Sequence, residues 1–120
     1  MIRGIRGATT VNANNEQEIF GNTRELILEM IEKNQVEATD VSSVLVTVTD
    51  DLTATFPAKP IRELDGWTYV PVMCMKEINV PHGLPRCIRI MMTVNTAIEQ
   101  ADIHHVYHYE ARKLRPDLLK

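Results

Sequence analysis

The sequence predicts an α+β fold: a mixed β-sheet of about five strands with one long helix and one or two short ones. Three observations carry that expectation. Residues 16–33 hold the chain's one clear helical periodicity. Apolar, β-branched segments recur elsewhere, and they are not alternated with helices, so a doubly wound parallel sheet is disfavoured. One helix covers one sheet face only. The other face, expected to be rich in Met, Val and Ile, still needs cover. Burial against copies of the same chain is the simplest solution, and a cyclic oligomer follows.

Taken in order, residues 1–11 read as an opening strand, with Gly4 and Gly7 permitting close backbone approach. Alternation sets Ile2, Arg6 and Ala8 on one face and Arg3 and Ile5 on the other. Arg6 then sits among small and apolar residues as a candidate semi-buried cation; a solvated arginine on an edge strand is the alternative. Asn14 or Asn15 caps the long helix, and Glu16 and Glu18 complement its dipole in the first turn. Ile19, Phe20, Thr23, Leu26, Ile27, Met30 and Ile31 form its apolar stripe, and Asn34 is a plausible stop. Gly21 inside this stripe costs about 1 kcal/mol relative to Ala, which predicts close packing there.

Residues 39–43 suggest a helical turn leading into a buried strand at 44–49. Residues 56–64 read as a loop and short helix closed by Asp65-Gly66. A second long extended segment spans 68–78, where Pro71 signals an edge or a bulge. After a loop at 79–85 comes a strand at 86–95, free of Gly and Pro after its start. Residues 95–102 form a loop with one helical turn, 103–109 a last strand, and 114–118 a tail. There is no internal repeat, and the whole of 1–120 reads as one domain.

The strand at 86–95 carries the most informative charge. Ile88, Ile90, Met92 and Val94 share one wall; Cys87, Arg89, Met91 and Thr93 share the other. A guanidinium in mid-strand is far from bulk water, and an unpaired buried charge is expensive. Arg89 therefore needs an anionic partner, either a protein carboxylate or a bound ligand.

Composition and spacing exclude several function classes. Thirteen Lys and Arg against sixteen Asp and Glu give a formal charge of −3, with no basic tract. Nucleic acid is disfavoured, since phosphate binding wants a clustered basic face. No apolar run is long enough to span a bilayer and the N-terminus has no signal-like h-region, so a cytoplasmic protein is expected. Cys74 and Cys87 fit that compartment as reduced thiols. The two serines, Ser42 and Ser43, lack the Gly-x-Ser-x-Gly context of a serine hydrolase. His104 and His108 would share a strand face, yet no further ligand is spaced to complete a zinc site, so no metal is expected. No glycine-rich phosphate loop occurs. What remains is a set of cations in apolar contexts, Arg6, Arg62, Arg89 and Arg115, with Glu77 as a single counter-carboxylate. An excess of cation suggests a ligand with two negative groups. In a chain of 120 residues a deep ligand site forms more easily between subunits than within one.

These residues also carry a resemblance. Ile2-Arg3-Gly4-Ile5-Arg6-Gly7-Ala8-Thr9-Thr10, Phe56-Pro57-Ala58-Lys59, Arg62-Glu63-Leu64, Gly66-Trp67, Tyr69-Val70-Pro71-Val72 and Cys74-Met75 resemble, in order, the small trimeric bacterial chorismate mutases. So do Cys87-Ile88-Arg89, Thr93-Val94, His105-Val106-Tyr107 and Leu114-Arg115-Pro116-Asp117-Leu118. The likeness spans nearly the whole chain and is to the monofunctional α/β type. It implies a pseudo-α/β-barrel homotrimer with sites in the clefts between subunits, acting on chorismate without a cofactor and yielding prephenate for phenylalanine and tyrosine synthesis.

Carried over by position, the resemblance implies that Arg89 reaches the ether oxygen and the side-chain carboxylate, which Arg6 and Tyr107 also hold. Glu77 and Cys74 would receive the ring hydroxyl, and Phe56 would pack on the ring. Arg62, Leu114 and Arg115 would close over the ring carboxylate. Met73 stands where the family often has a smaller polar residue, and the tail after Asp117 is short. Strict alternation sets Cys74 and Glu77 on opposite faces, so either the strand bulges or Cys74 acts through its backbone. Two other readings share this shape: a small trimeric enamine/imine deaminase, which also binds carboxylates with a cleft arginine, and a non-catalytic metabolite sensor.

Overall fold

A computed structural model describes residues 1–118. Its centre is a five-stranded mixed sheet. The strands are β1 (Ile2–Thr10), β2 (Val41–Val48), β3 (Val72–Lys76), β4 (Cys87–Asn95) and β5 (Val106–Tyr107), in the spatial order β3-β2-β4-β1-β5. β4 is antiparallel to both β1 and β2, while β3 and β5 add in parallel at the two edges. Two helices accompany the sheet, α1 (Glu16–Asn34) and the single-turn α2 (Lys59–Arg62), with short 3₁₀ turns at Ala38–Asp40, Gln100–Asp102, Tyr109–Lys113 and Pro116–Leu118.

Helix α1 begins where its sequence says it should. The Asn15 side chain accepts from the Glu18 backbone N–H at 2.8 Å, satisfying one of the otherwise unpaired donors of the first turn. The helix ends after Asn34, where Gln35 takes a left-handed conformation. Its stripe of Ile19, Thr23, Leu26, Ile27 and Met30 is fully buried. It packs with Ile5, Val44, Val46, Ile88, Ile90, Met92 and Val94 on one face of the sheet. Gly7 is what lets the helix come so close: a Cβ there would collide with the Met30 sulfur and press on Leu26.

Asn34 does more than end the helix. Its amide donates to the carbonyls of Met30 (2.9 Å) and His104 (2.8 Å), and its Oδ1 accepts from the His104 N–H (2.8 Å). Asn34→Ala strips two partners from the partly buried His104 backbone. It should lower the unfolding free energy by about 1–3 kcal/mol, read from the midpoint of a urea titration.

Several sequence expectations are corrected. Gly21 faces open space, so its position reflects no close packing. The last strand is only Val106–Tyr107, since it pairs with β1 at Gly7 and Ala8 alone. The segment at 68–78 is strand only over Val72–Lys76, at the sheet edge that Pro71 signalled. β2 starts three residues earlier than expected, directly after the 3₁₀ turn. The uncovered face is lined by Leu45, Met73, Met75 and Met91 with Arg6 and Arg89, whereas most of the strand Val and Ile side chains lie under α1. Two residues, Leu119 and Lys120, fall outside the described part of the expected tail.

Candidate active site

The uncovered sheet face is where the cations gather. Alternation along β1 and β4 turns Arg6 and Arg89 outward on the same side, away from α1. Tyr107 on edge strand β5 and Leu114 and Arg115 between the last two 3₁₀ turns complete a cavity of about 360 Å³ floored by Ala8, Leu45 and Met91. Arg6, Arg89, Tyr107, Leu114 and Arg115, singled out in the sequence, are thus brought together.

Glu77 joins them through Arg89. Arg89 Nε donates to Glu77 Oε2 and Nη2 to Oε1, both at 2.6 Å, a two-pronged fork. Glu77 reaches this position because its backbone N–H still pairs with the Val48 carbonyl (2.8 Å), one residue past the end of β3. The hydroxyl of Thr47, which stands opposite Arg89 in the β2–β4 register, donates to Glu77 Oε2 at 2.7 Å. The Arg89 fork holds the Glu77 carboxyl below its usual range against the opposing effect of burial, and the carboxylate in turn keeps the guanidinium charged. The stabilisation this pair contributes is therefore complete above the ordinary Glu value of 4.5 and lost as the pH falls through the depressed one.

Arg89 was expected to be hidden from water. In the single chain its side chain is 52% exposed, on the sheet face that α1 leaves open, and that of Glu77 is 18% exposed. The fork uses Nε and one terminal nitrogen, leaving the remaining N–H donors of Arg89 without a hydrogen-bond partner among the described residues, on a side chain that lines the cavity. Arg115 is paired with Asp117 in an exposed and therefore weak fork, readily exchanged for another carboxylate.

Four of the expected residues lie elsewhere. The regular β3 ladder turns the Cys74 side chain toward the core side, opposite Met73 and Met75, so no bulge brings it beside Glu77. Cys74 and Phe56 instead line a separate cleft with Leu52, Pro57 and Lys76. Phe56 is 74% exposed and Met73 61%, and Arg62 is exposed at the end of α2. Phe56, Cys74 and Arg62 form a second region, apolar with one cation, whereas Met73 stays on the uncovered face beside Leu45 without lining the Arg89 cavity.

Nucleophilic and metal chemistry find little support. Burial pushes the Cys87 thiol up to about 11 and raises that of Cys74, so both are neutral thiols at neutral pH. Among the described residues no group of three His, Cys, Asp or Glu converges to hold a metal ion. The histidines are separately engaged: His104 is exposed, His108 lies against Glu29 at 3.3 Å, and His105 accepts a backbone N–H.

Thr47 is the site residue that sequence reasoning passed over. A threonine in an apolar strand has no local signal; its role appears only once register places it between Arg89 and Glu77. The 3₁₀ segment at Tyr109–Lys113, which sets the direction of Leu114 and Arg115, was likewise unread.

An open face on a small mixed sheet that gathers Arg6, Arg89 and Arg115 is suited to a compact polyanion, and among the described residues no metal-holding cluster lies there. Comparison with known proteins makes the class specific. The family model described as "Chorismate mutase type I" matches residues 2–118. "Chorismate mutase AroH" of Bacillus subtilis is 53% identical over 118 residues, covering 98% of this chain and 93% of that protein. The Thermus thermophilus protein of the same name is 44% identical over 119 residues, covering 98% and 97%. A solved chorismate mutase from Clostridium thermocellum superposes with a TM-score of 0.88 at 50% identity, over 92% of this chain and 97% of that one.

The chain belongs to the chorismate mutase type I family. It is accordingly an enzyme, an isomerase of the type that turns chorismate into prephenate.

Proposed function

We propose that the protein rearranges chorismate to prephenate in the cytoplasm, at a site that two copies of the chain build together within a homotrimer. One domain over the whole chain would do this, in the supply of phenylalanine and tyrosine. The observation that supports the reading is the excess of cation at the cavity: Arg6, Arg89 and Arg115 line it, against two carboxylates beside it, Glu77 held by Arg89 and Asp117 held weakly by Arg115.

The reaction asks for little else. The ether C–O bond breaks as a C–C bond forms elsewhere in the same molecule, so atoms balance without a proton acceptor, nucleophile or cofactor. The substrate dianion must be held in its compact conformer, which arginine forks do well. As the C–O bond lengthens, negative charge collects on the oxygen, and a fixed cation there lowers the barrier. Arg89 takes that place, with its guanidinium plane set by Glu77 and Thr47. Arg6 and Tyr107 hold the side-chain carboxylate, and Glu77 receives the ring hydroxyl. Phe56, Arg62, Met73 and Cys74 belong to the facing copy and close the ring side, Cys74 through its backbone. A second copy also explains why Leu45, Met73, Met75 and Met91 are exposed together, an apolar surface unusual for a monomer. Light scattering at micromolar concentration should report three chains per particle.

The test is the loss of chorismate absorbance on adding pure protein in the presence of EDTA. Turnover is expected. Binding without turnover would make the protein a sensor, and turnover abolished by EDTA would overturn the cofactor-free mechanism.

Leu114 and Arg115 act as a lid over the bound anion, not on the breaking bond. Truncation before Leu114 should therefore raise KM by about tenfold, the worth of one charge-assisted contact, and leave kcat nearly unchanged. A loss confined to kcat would place the tail against the reacting atoms.

A further inference from the structure

Strand β5 stops short, and a side chain takes over where its backbone ends. β5 pairs with β1 only at Gly7 and Ala8, which leaves the preceding N–H of β1, that of Arg6, without a strand partner. The His105 ring supplies one: the Arg6 backbone N–H donates to His105 Nδ1 at 2.9 Å in a partly buried setting. An N–H aimed at Nδ1 requires a lone pair there. The ring is thereby fixed as the neutral tautomer with its proton on Nε2.

We infer that His105 is a positioning residue for catalysis, locking the backbone of Arg6 so that its guanidinium meets the substrate carboxylate, and doing so only while the imidazole is neutral. This rests on the reading of Arg6 as a carboxylate-binding residue. The surroundings favour the neutral ring. Burial first, then the charges of Arg6 on β1 and Arg115 in the tail, and finally His104, all hold its pKa below the ordinary 6.5. The tail also brings Asp117, which is engaged by Arg115. Once His105 gains a second proton, Nδ1 becomes a donor facing a donor, and the hydrogen bond to Arg6 is lost. The added positive charge attracts the dianion weakly through solvent, whereas a displaced arginine fork forfeits a directed, charge-assisted contact, so the net result is weaker binding. Titration of the substrate's own carboxylates is common to the wild type and to a variant that cannot titrate at position 105, so the difference between the two isolates the effect.

Three substitutions separate this role from mere packing. In His105→Asn, Oδ1 stands near the place of Nδ1 and never titrates. In His105→Gln the acceptor moves to the position of Nε2, and in His105→Ala it is gone. KM for chorismate at neutral pH should stay close to wild type in the Asn variant and rise about tenfold in the Ala and Gln variants, with kcat changed far less. On acidification below 6.5 the wild-type KM should climb, while that of the Asn variant stays flat.

The amide resonance of Arg6, followed by nitrogen–proton NMR in the wild-type protein without substrate, should move with the same inflection. That readout is independent of catalysis. If the resonance titrates but Arg6→Ala leaves KM unchanged, the reading of Arg6 fails and the hydrogen bond stands. Equal KM values in the Asn and Ala variants, or a wild-type acid profile surviving in His105→Asn, would overturn the positioning role.

Discussion

Arg89→Lys is expected to lower kcat by about 10²–10³-fold or more, while KM changes much less. The charge of Arg89 is needed most when negative character develops on the ether oxygen, and that charge exists only in the transition state. Lysine keeps a cation but has no planar fork. Arg89 divides its nitrogens, with Nε and one Nη holding Glu77 at 2.6 Å each while the other donors stay free for the substrate. A single ammonium group cannot satisfy Glu77 and reach the ether oxygen as well. Glu77 would keep its Thr47 bond and lose the group that fixes its plane. Arg89 is half exposed in the single chain, so the thermal midpoint and the oligomeric state should change little. Retention of kcat within a few-fold of wild type would reduce Arg89 to a structural ion pair and leave the chemistry to be explained by another group.

What could be read in the sequence was local or periodic. A cap at Asn14 or Asn15, the α1 stripe from Ile19 to Met30, and the opposed faces of Ile5 and Arg6 follow from spacings of one to four residues, and the fold bears them out, with Asn15 as the cap. The errors came where pairing partners decide. The alternating apolar and aromatic residues at 103–109 read as a full strand, yet only two residues find a ladder, because β1 offers no further partner in register. Gly21 broke the helical pattern for no packing reason, being exposed.

The site divided in the same way. An arginine in mid-strand demanded an anion, and Glu77 stood out as the one counter-carboxylate among four arginines; that it pairs with Arg89 was not legible, since the β3–β2–β4 register joins residues twelve apart across a third strand. The roles of Phe56, Arg62, Met73 and Cys74 came from resemblance alone. No hydropathy pattern points to the separation of the Arg89 cavity from the Phe56 cleft on the chain.

That division leads to the second large effect. The cavity of Arg6, Arg89 and Tyr107 lies on one patch, and Phe56 and Cys74 line another cleft, with Arg62 exposed nearby on α2. If the first patch of one copy meets the second patch of the next, damage to either should be complemented by a neighbour that carries it intact. Arg89→Ala disables the first patch. Phe56→Ala combined with Arg62→Glu disables the second, removing the ring contact and repelling the dianion. Each protein alone should be nearly inactive. Around any mixed ring of three, one junction joins two intact halves, and random equal mixing leaves about a quarter of all sites whole. The decisive measurement is chorismate turnover after the two inactive proteins are unfolded together and refolded as a mixture. Recovery to about one quarter of wild-type activity is the predicted result; a mixture as inactive as its components would contradict a site shared between copies.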